Sequence, residues 1–250
     1  MAAVRSTLAH TIMVAGKEKT VIVKGKFGNT TSTFFPAAGA VDPVDGRNRT
    51  AVQLTWIAAH DAATGDFASA TETGDFVGDR TFNATDFNIA RLLVLFTTST
   101  IGTDTITSAT FSLANTASAK TDTDASSMHV VASTPSTNSD VVVADFDQFG
   151  TTSFGSKTIL SWTDTDTTYN DITLNATGIA AIATAGTTKF GVRSGMDMTN
   201  TTPTIPGGNR VFVYFADQAG TATDPKLVVV HAGAAGGGKA GSLLLMGAGV

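Results

Sequence analysis

Short segments rich in apolar and β-branched residues recur along this chain, and turn-forming residues separate them. Segments of this kind, about four to eight residues long and regularly spaced, predict the strands of an all-β sandwich. Helical patterns are scarce by comparison. Between residues 45 and 231, we predict strands at 52–58, 91–97, 108–114, 129–133, 141–144, 169–174, 188–192, 210–216 and 226–231.

Two of these segments differ in their pattern. Residues 108–113, Ser-Ala-Thr-Phe-Ser-Leu, alternate between polar and apolar side chains, as expected for a half-buried strand. Residues 91–96 do not alternate after Arg91, so we expect a central strand that is buried on both faces. A single short helix is predicted within 175–186, where Asn175 or Thr177 would cap its start and Gly186 would end it.

The chain divides into three parts by composition. Residues 1–44 are predicted to form an N-terminal β arm with short strands at 11–14 and 20–24, residues 45–231 the sandwich, and residues 232–250 a flexible Gly-rich tail. Lysines of the arm indicate either a solvated edge strand or a segment that docks on an acidic neighbour. The apolar end of the tail is either disordered or self-packed, or it is inserted into a neighbouring subunit. The candidate assembly contacts are Lys17, Lys19, Lys24, Leu243, Leu244, Leu245 and Met246.

Charge and cysteine content exclude several classes of function. The formal net charge is −5 with no basic stretch of nucleic-acid-binding type, so we expect no nucleic-acid partner. There is no cysteine, which excludes disulfides and thiolate metal sites.

The longest apolar runs are too short to span a membrane, and the N-terminus lacks the apolar core of a signal peptide. We therefore expect a protein with no membrane partner that is assembled in a host cytoplasm.

Catalytic motifs are absent from the sequence. The four histidines, His10, His60, His129 and His231, stand singly, and we expect them to have structural roles. His60 and Asp61 are adjacent, which on a strand would place their side chains on opposite faces. No nucleophile elbow and no phosphate-binding loop occurs. We predict that the chain is not an enzyme and carries no organic cofactor.

Paired aspartates offer one possible metal site. Asp122 with Asp124, and Asp164 with Asp166, place two carboxylates two residues apart, which is half of a calcium loop. The same residues are ordinary turn formers whose side chains bond to their own backbone. Both interpretations stay open: turn structure, or a structural Ca²⁺ held by these four aspartates. The tryptophans Trp56 and Trp162 are expected to be buried in the sandwich rather than displayed to a sugar.

Several ordered blocks of sequence form a familiar pattern. They run from Asn-Ile-Ala-Arg-Leu-Leu-Val-Leu-Phe at residue 88 to Ala-Thr-Asp-Pro-Lys-Leu-Val-Val at residue 222. The intervening blocks lie at 106–113, 144–156, 169–178 and 188–197. Together they resemble the DNRLRE-type jelly-roll domains, especially those of tailed-phage and prophage structural proteins. The resemblance covers about residues 45–231 and implies a jelly-roll-like β-sandwich, in which Asp224 and Pro225 form the turn into the closing strand.

The resemblance also implies a role. Phage members of this family are surface-exposed capsid decorations or tail-fibre components, so we expect a non-enzymatic virion protein. Its partners would be copies of itself, with a trimer as our expectation, and other virion proteins. The alternative is a carbohydrate-binding module that recognises a cell-surface glycan.

Overall fold

A computed structural model describes the backbone of residues 7–14 and 17–24, and residues 28–233 with their side chains. The described residues form fifteen strands, three α-helices and two 3₁₀-helices. The strands are β1 Thr7–Val14, β2 Lys17–Lys24, β3 Thr30–Phe34, β4 Asp45–Arg49, β5 Phe67–Ser69, β6 Gly74–Thr81, β7 Phe87–Thr97, β8 Thr105–Ala114, β9 Thr121–Asp122, β10 Ser127–Ala132, β11 Gly155–Thr158, β12 Tyr169–Thr173, β13 Thr187–Ser194, β14 Gly207–Tyr214 and β15 Lys226–Ala232. The α-helices are α1 Trp56–His60, α2 Ala176–Ala180 and α3 Gly195–Thr199, and the 3₁₀-helices are η1 Ser99–Ile101 and η2 Val143–Asp147.

Two antiparallel sheets make up the sandwich. The smaller sheet has the order β12-β8-β15-β3. The larger sheet has the order β11-β10-β13-β7-β6-β14-β9, and β4 and β5 join it through the pairing of β4 with β7. Strands β1 and β2 pair with each other as a separate hairpin.

The strand order is that of a jelly roll. Eight strands, β3, β7, β8, β10, β11, β12, β13 and β15, form two interleaved four-stranded sheets, β3-β15-β8-β12 and β7-β13-β10-β11. The chain crosses between the two sheets from β3 to β7, from β7 to β8, from β8 to β10, from β11 to β12, from β12 to β13 and from β13 to β15. Strands β4, β5, β6, β9 and β14 extend the larger sheet. The prediction of an all-β, jelly-roll-like sandwich is confirmed.

Strand β7 is buried on both faces, as its unbroken apolar sequence predicts. Leu92, Val94 and Phe96 project into the main core between the sheets. Leu93 and Leu95 project the other way, into a second core that Val44, Val131 and Phe149 share. The closing strand also agrees with its prediction, because β15 begins directly after Pro225 and buries Leu227 and Val229.

Two glycines allow β6 and β14 to approach each other closely. Gly78 on β6 has φ of 120° and Gly208 on β14 has φ of 146°, conformations that L side chains rarely adopt. A Cβ atom at Gly78 would collide with the carbonyl oxygen of Asn209, and one at Gly208 with that of Asp79. Glycine is therefore required at both positions.

Four local predictions need correction. The strand predicted at 52–58 is wrong, because Thr55 caps helix α1 by accepting a hydrogen bond from Ala58 N at 3.2 Å. The strand predicted at 141–144 is also wrong, because this segment leads into the 3₁₀-helix η2. The predicted helix begins after Asn175 as expected, but α2 ends at Ala180 rather than before Gly186. The described residues contain three α-helices in place of the single one predicted.

The N-terminal part contributes to the sandwich as well as to the arm. Strands β1 and β2 form the hairpin where strands at 11–14 and 20–24 were predicted, and both are longer than predicted. Strand β3 lies within the predicted arm, yet it pairs with β15 as an edge strand of the smaller sheet. Within the described part of the chain, no helix has the length and apolar character needed to cross a membrane.

Candidate functional site

Two buried arginines share one buried aspartate between the larger sheet and helix α3. Arg91 lies on β7, Arg193 on β13, and Asp197 near the start of α3. Arg91 donates to the Asp197 carboxylate from Nε at 2.9 Å and from Nη2 at 2.7 Å. Arg193 donates to the same carboxylate from Nε at 2.7 Å and from Nη2 at 2.9 Å. We call these three residues the buried ion triplet.

The buried ion triplet is held in one ionisation state. Burial alone would raise the pKa of Asp197, but the charges and hydrogen bonds of Arg91 and Arg193 outweigh it and hold the pKa well below its usual range. Arg91 also donates to the carbonyl oxygens of Phe146 and His60, and its guanidinium carbon lies 4.0 Å from the centre of the Phe146 ring. With its donors bound in this way, the triplet joins β7, β13, α3 and η2 as a structural element.

His60 and Asp61 are in contact, which corrects the prediction that their side chains would point apart. They lie at the end of a helix rather than on a strand, and His60 Nδ1 is 2.5 Å from Asp61 Oδ1. His60 Nε2 is 2.9 Å from the carbonyl oxygen of Asp197, so the ring bridges α1 and α3. The other described histidines are also hydrogen-bonded, His129 to Ser153 and His231 to Ser32 and Asp104.

A second group of arginines lies where β4, β5, β6 and β14 meet. In this group the guanidinium groups stack on phenylalanine rings. The carbon atom of the Arg49 guanidinium is 4.4 Å from the centre of the Phe67 ring. That of Arg80 is 4.9 Å from the Phe76 ring and 5.0 Å from the Phe82 ring. We call the whole group the arginine–aromatic cluster; its members are Arg47, Arg49, Arg80, Arg210, Phe67, Phe76 and Phe82.

Burial lowers the pKa values of three cluster arginines, Arg47, Arg80 and Arg210, and the charge of Asp79 opposes the effect at Arg210. Burial lowers the pKa of Arg80, and the charges of Arg49 and Arg210 lower it further. Burial likewise lowers the pKa of Arg47, where Glu72 opposes the effect and Arg49 and Arg80 add to it. A concentration of like charges of this kind opposes folding unless an anion compensates it.

Of the four cluster arginines, only Arg47 has a carboxylate partner among the described residues. It forms ion pairs with Glu72, at 2.7 Å, and with Asp75. Arg49, Arg80 and Arg210 make no ion pair and donate no side-chain hydrogen bond within the described part of the chain. The Nε atoms of Arg49 and Arg80 are nevertheless shielded from solvent.

The predicted calcium aspartates are engaged in local and cross-strand hydrogen bonds. Asp122 accepts from Ser126 N at 2.8 Å, the pattern of a turn. Asp124 accepts from Thr204 Oγ1 at 2.5 Å and from Asn209 Nδ2 at 2.8 Å, which ties its loop to β14. These hydrogen bonds outweigh burial and lower the pKa of Asp124.

The second aspartate pair does not join the first through any hydrogen bond. Asp166 accepts from Tyr214 Oη at 2.8 Å, and Asp164 is exposed. In residues 28–233, no group of three or more His, Asp or Glu side chains is arranged to hold a metal ion. The calcium site stays a prediction, with the turn interpretation supported by the bonds of Asp122.

A buried acidic group lies apart from these loops. Asp45 is 1% exposed, and its Oδ2 accepts from Ala216 N at 3.1 Å while its Oδ1 has no partner. Burial raises the pKa of Asp45 to about 8, and the charges of Asp217 and Asp224 contribute to the rise. The pKa of Asp224 is raised to about 6 by burial and by Asp217.

The predicted assembly contacts are only partly described. Lys17, Lys19 and Lys24 lie on β2, of which only the backbone is described. Leu243, Leu244, Leu245 and Met246 fall outside the described residues. Trp56 and Trp162 are buried, as predicted, and donate hydrogen bonds to Asn200 and Asn115.

No protein-family model matches the chain, and no curated protein matches it.

The arginine–aromatic cluster is the site that sequence reasoning missed. A local signal exists, because Arg80 and Phe82 are two residues apart at the end of one strand. Arg47 and Arg49 have the same spacing on β4, a strand that was not predicted because Asp45-Gly-Arg-Asn-Arg has no apolar residue. The contacts that bring β4, β6 and β14 together are long-range and leave no pattern in the sequence.

Proposed function

We propose that this chain is a non-enzymatic structural protein of a tailed bacteriophage, displayed on the surface of the capsid or tail. The proposal rests on the resemblance to DNRLRE-type domains of phage structural proteins. Its main support is that most of the resembling blocks overlap strands of the jelly roll. The blocks at 88–101, 106–113, 169–178, 188–197 and 222–229 overlap, in order, β7 with η1, β8, β12, β13 and the start of β15, and the block at 144–156 overlaps η2 and the start of β11.

The use of polar groups in the interior supports a structural role. In the described residues, buried basic and acidic side chains converge at one place. This place is the buried ion triplet, with His60 at its edge. Arg91 and Arg193 direct their bonds to a fixed carboxylate and to carbonyl oxygens, and both side chains are nearly inaccessible to a substrate. The triplet stabilises a rigid body suited to display, and the β1–β2 hairpin and residues 234–250 would attach it to the particle.

The test is to look for the chain in purified particles. Mass spectrometry of density-banded particles of a phage that encodes this chain should detect it at many copies. Brief protease treatment of intact particles should release fragments of residues 28–233. Absence of the chain from banded particles would overturn the proposal, as would complete protection from protease.

The attachment role of the ends has its own test. A variant that lacks residues 1–27 and 234–250 retains β3 to β15 and should fold, but it should not join the particle during infection. A variant that lacks only residues 234–250 separates the contribution of the tail from that of the hairpin. If the doubly truncated variant joins particles at the level of the full chain, the ends do not attach it.

A further inference from the structure

We propose that the arginine–aromatic cluster binds an anionic polysaccharide that carries carboxylate or sulfate groups. This site goes beyond the structural role proposed above and does not depend on it. The ligand would be held by the guanidinium groups of Arg49, Arg80 and Arg210, with its sugar rings against the exposed phenylalanines.

The unused hydrogen-bond donors are the first reason. A guanidinium carries five N–H donors and pairs with carboxylate or sulfate oxygens through two parallel hydrogen bonds. Arg91 and Arg193 use such pairs within the buried ion triplet. Arg49, Arg80 and Arg210 use none within the described residues, although Arg49 and Arg80 are only partly exposed. The strand register brings them together, because Arg49 and Arg80 pair with Ala90 and Asn88, two residues apart on β7 and therefore on one face of it. Arg210 Nη1 lies beside Gly208, which is the cross-strand partner of Arg80. Three arginines with unused donors in this arrangement constitute a site for an anion of more than one charge.

Preorganisation is the second reason. Stacking on Phe67 fixes the plane of Arg49, and Phe76 and Phe82 flank Arg80. Arg210 lies beside the β6–β14 ladder, with its Nη1 3.0 Å from the position that a Cβ atom at Gly208 would take. Guanidinium groups that are already oriented lose less conformational entropy when a ligand binds.

The exposed aromatic rings favour a sugar over a simple ion. Phe67 is 47% exposed and Phe82 is 56% exposed, and both lie against cluster arginines. A large exposed apolar ring beside a charged group is typical of binding sites whose ligand has both an apolar and a charged face. Acidic sugars have both features.

The charge of the whole chain argues against other occupants. The chain has 16 basic and 21 acidic residues, so without the four cluster arginines its formal charge is 12 − 21 = −9. Nucleic acid carries a charge about every 1.7 Å, more densely than an acidic polysaccharide does, so it would be repelled more strongly beyond the cluster. The ends of this chain do not complement the site either, because residues 1–27 hold five basic residues and one acidic residue, and residues 234–250 hold one lysine and no acidic residue.

The test is a binding titration of the full chain with defined polymers. Polygalacturonate and chondroitin sulfate supply carboxylate and sulfate groups, dextran is the neutral control, and duplex DNA is the nucleic-acid control. We expect saturable binding to at least one acidic polysaccharide, weakened by added salt, and no binding to dextran. The Arg80→Gln and Arg210→Gln variants should each weaken it about tenfold or more, since each loses a charged hydrogen-bond donor.

Matched variants keep the result interpretable. Lys157→Gln removes a cation from β11, at the opposite edge of the larger sheet, and should change the affinity less than about twofold. Arg80→Lys keeps the charge but loses the paired donors, so its affinity should also fall while its thermal unfolding stays close to that of the unmodified chain. Unchanged affinity in Arg80→Gln and Arg210→Gln would overturn the proposal.

Two other outcomes would overturn it in favour of a different occupant. Tighter binding to duplex DNA than to either acidic polysaccharide would assign the cluster to nucleic acid. Sedimentation that shows self-association of the unmodified chain, lost in Arg80→Gln, without any polysaccharide binding, would assign it to a second copy of the chain.

Discussion

The buried ion triplet and the arginine–aromatic cluster use the same side chain in opposite ways. In the triplet, Arg91 and Arg193 are nearly inaccessible to solvent, and both direct paired donors to Asp197. In the cluster, Arg49 and Arg80 stack on phenylalanines and have no carboxylate partner among the described residues. An arginine whose donors are satisfied internally contributes to folding, whereas one whose donors are oriented but unused is available to a ligand.

Removing one arginine from each region should therefore have very different effects on stability. Arg193→Met leaves the buried Asp197 carboxylate with one arginine instead of two, and we expect the free energy of unfolding to fall by about 3–5 kcal/mol. Arg80→Met removes a like charge from the cluster, and we expect a change within about 1 kcal/mol. Urea unfolding at neutral pH, followed by tryptophan fluorescence, measures both values.

A matched control separates lost charge from lost packing. Arg193→Lys keeps the charge but not the paired hydrogen bonds, so it should lie between Arg193→Met and the unmodified chain. If Arg193→Met and Arg80→Met lowered the free energy of unfolding equally, the two regions would contribute alike to folding. That result would contradict the expected difference between the buried ion triplet and the arginine–aromatic cluster.

The acidic residues show a similar contrast. Asp197 is held ionised by two arginines, whereas burial raises the pKa of Asp45 to about 8 and no basic residue opposes it. The folded carboxyl of Asp45 therefore stays protonated where the unfolded one has ionised. The unfolded state binds fewer protons in this range, so Asp45 makes stability fall as the pH rises from about 4 to about 8. The raised pKa values of Asp79, about 7, and Asp224, about 6, act in the same direction.

Asp45→Asn should remove the contribution of this residue to the pH dependence. The asparagine amide oxygen can still accept the hydrogen bond from Ala216 N. The asparagine side chain does not ionise, so it has no carboxylate that burial would destabilise at high pH. We expect the variant to gain roughly 4–5 kcal/mol over the unmodified chain at pH 8 and little at pH 4. Asp164→Asn, at an exposed position, is the control and should give no gain. Urea unfolding at several pH values measures the difference, and an equal gain at pH 4 and pH 8 would contradict the raised pKa.

The core strands were predictable because the local pattern of apolar and polar residues indicates which faces of a strand are buried. The unbroken apolar sequence of β7 and the alternation in β8 each follow from which faces those strands bury. The same signal failed at 52–58, where Val52 and Leu54 alternate with polar residues as in a strand but are exposed. There, the hydroxyl of Thr55 and the burial of Trp56 favour a helix instead.

The polar sites were not predictable in the same way. Arg91 and Asp197 are 106 residues apart, and only the pairing of β7 with β13 brings them together. Strand β4 has no apolar side chain and is recognisable only from its pairing with β7. Its register with β7 is set by tertiary packing. Because β4 carries two of the cluster arginines, the position of the cluster follows from the fold and not from a sequence motif.

The smallest predicted effect tests whether stacking orients the cluster or stabilises the fold. Phe82→Leu removes the ring beside the Arg80 guanidinium at an exposed position, so the free energy of unfolding should fall by only about 0.5–1 kcal/mol. Leu160→Ala, at an exposed site whose side chain is not in the cluster, should change it by less than about 0.5 kcal/mol. The same Phe82→Leu variant should bind acidic polysaccharide several-fold more weakly, because Arg80 loses part of its orientation. A large loss of stability with unchanged affinity would contradict this prediction. It would show that Phe82 stabilises the fold, and that the arginine–aromatic cluster has a structural role like that of the buried ion triplet.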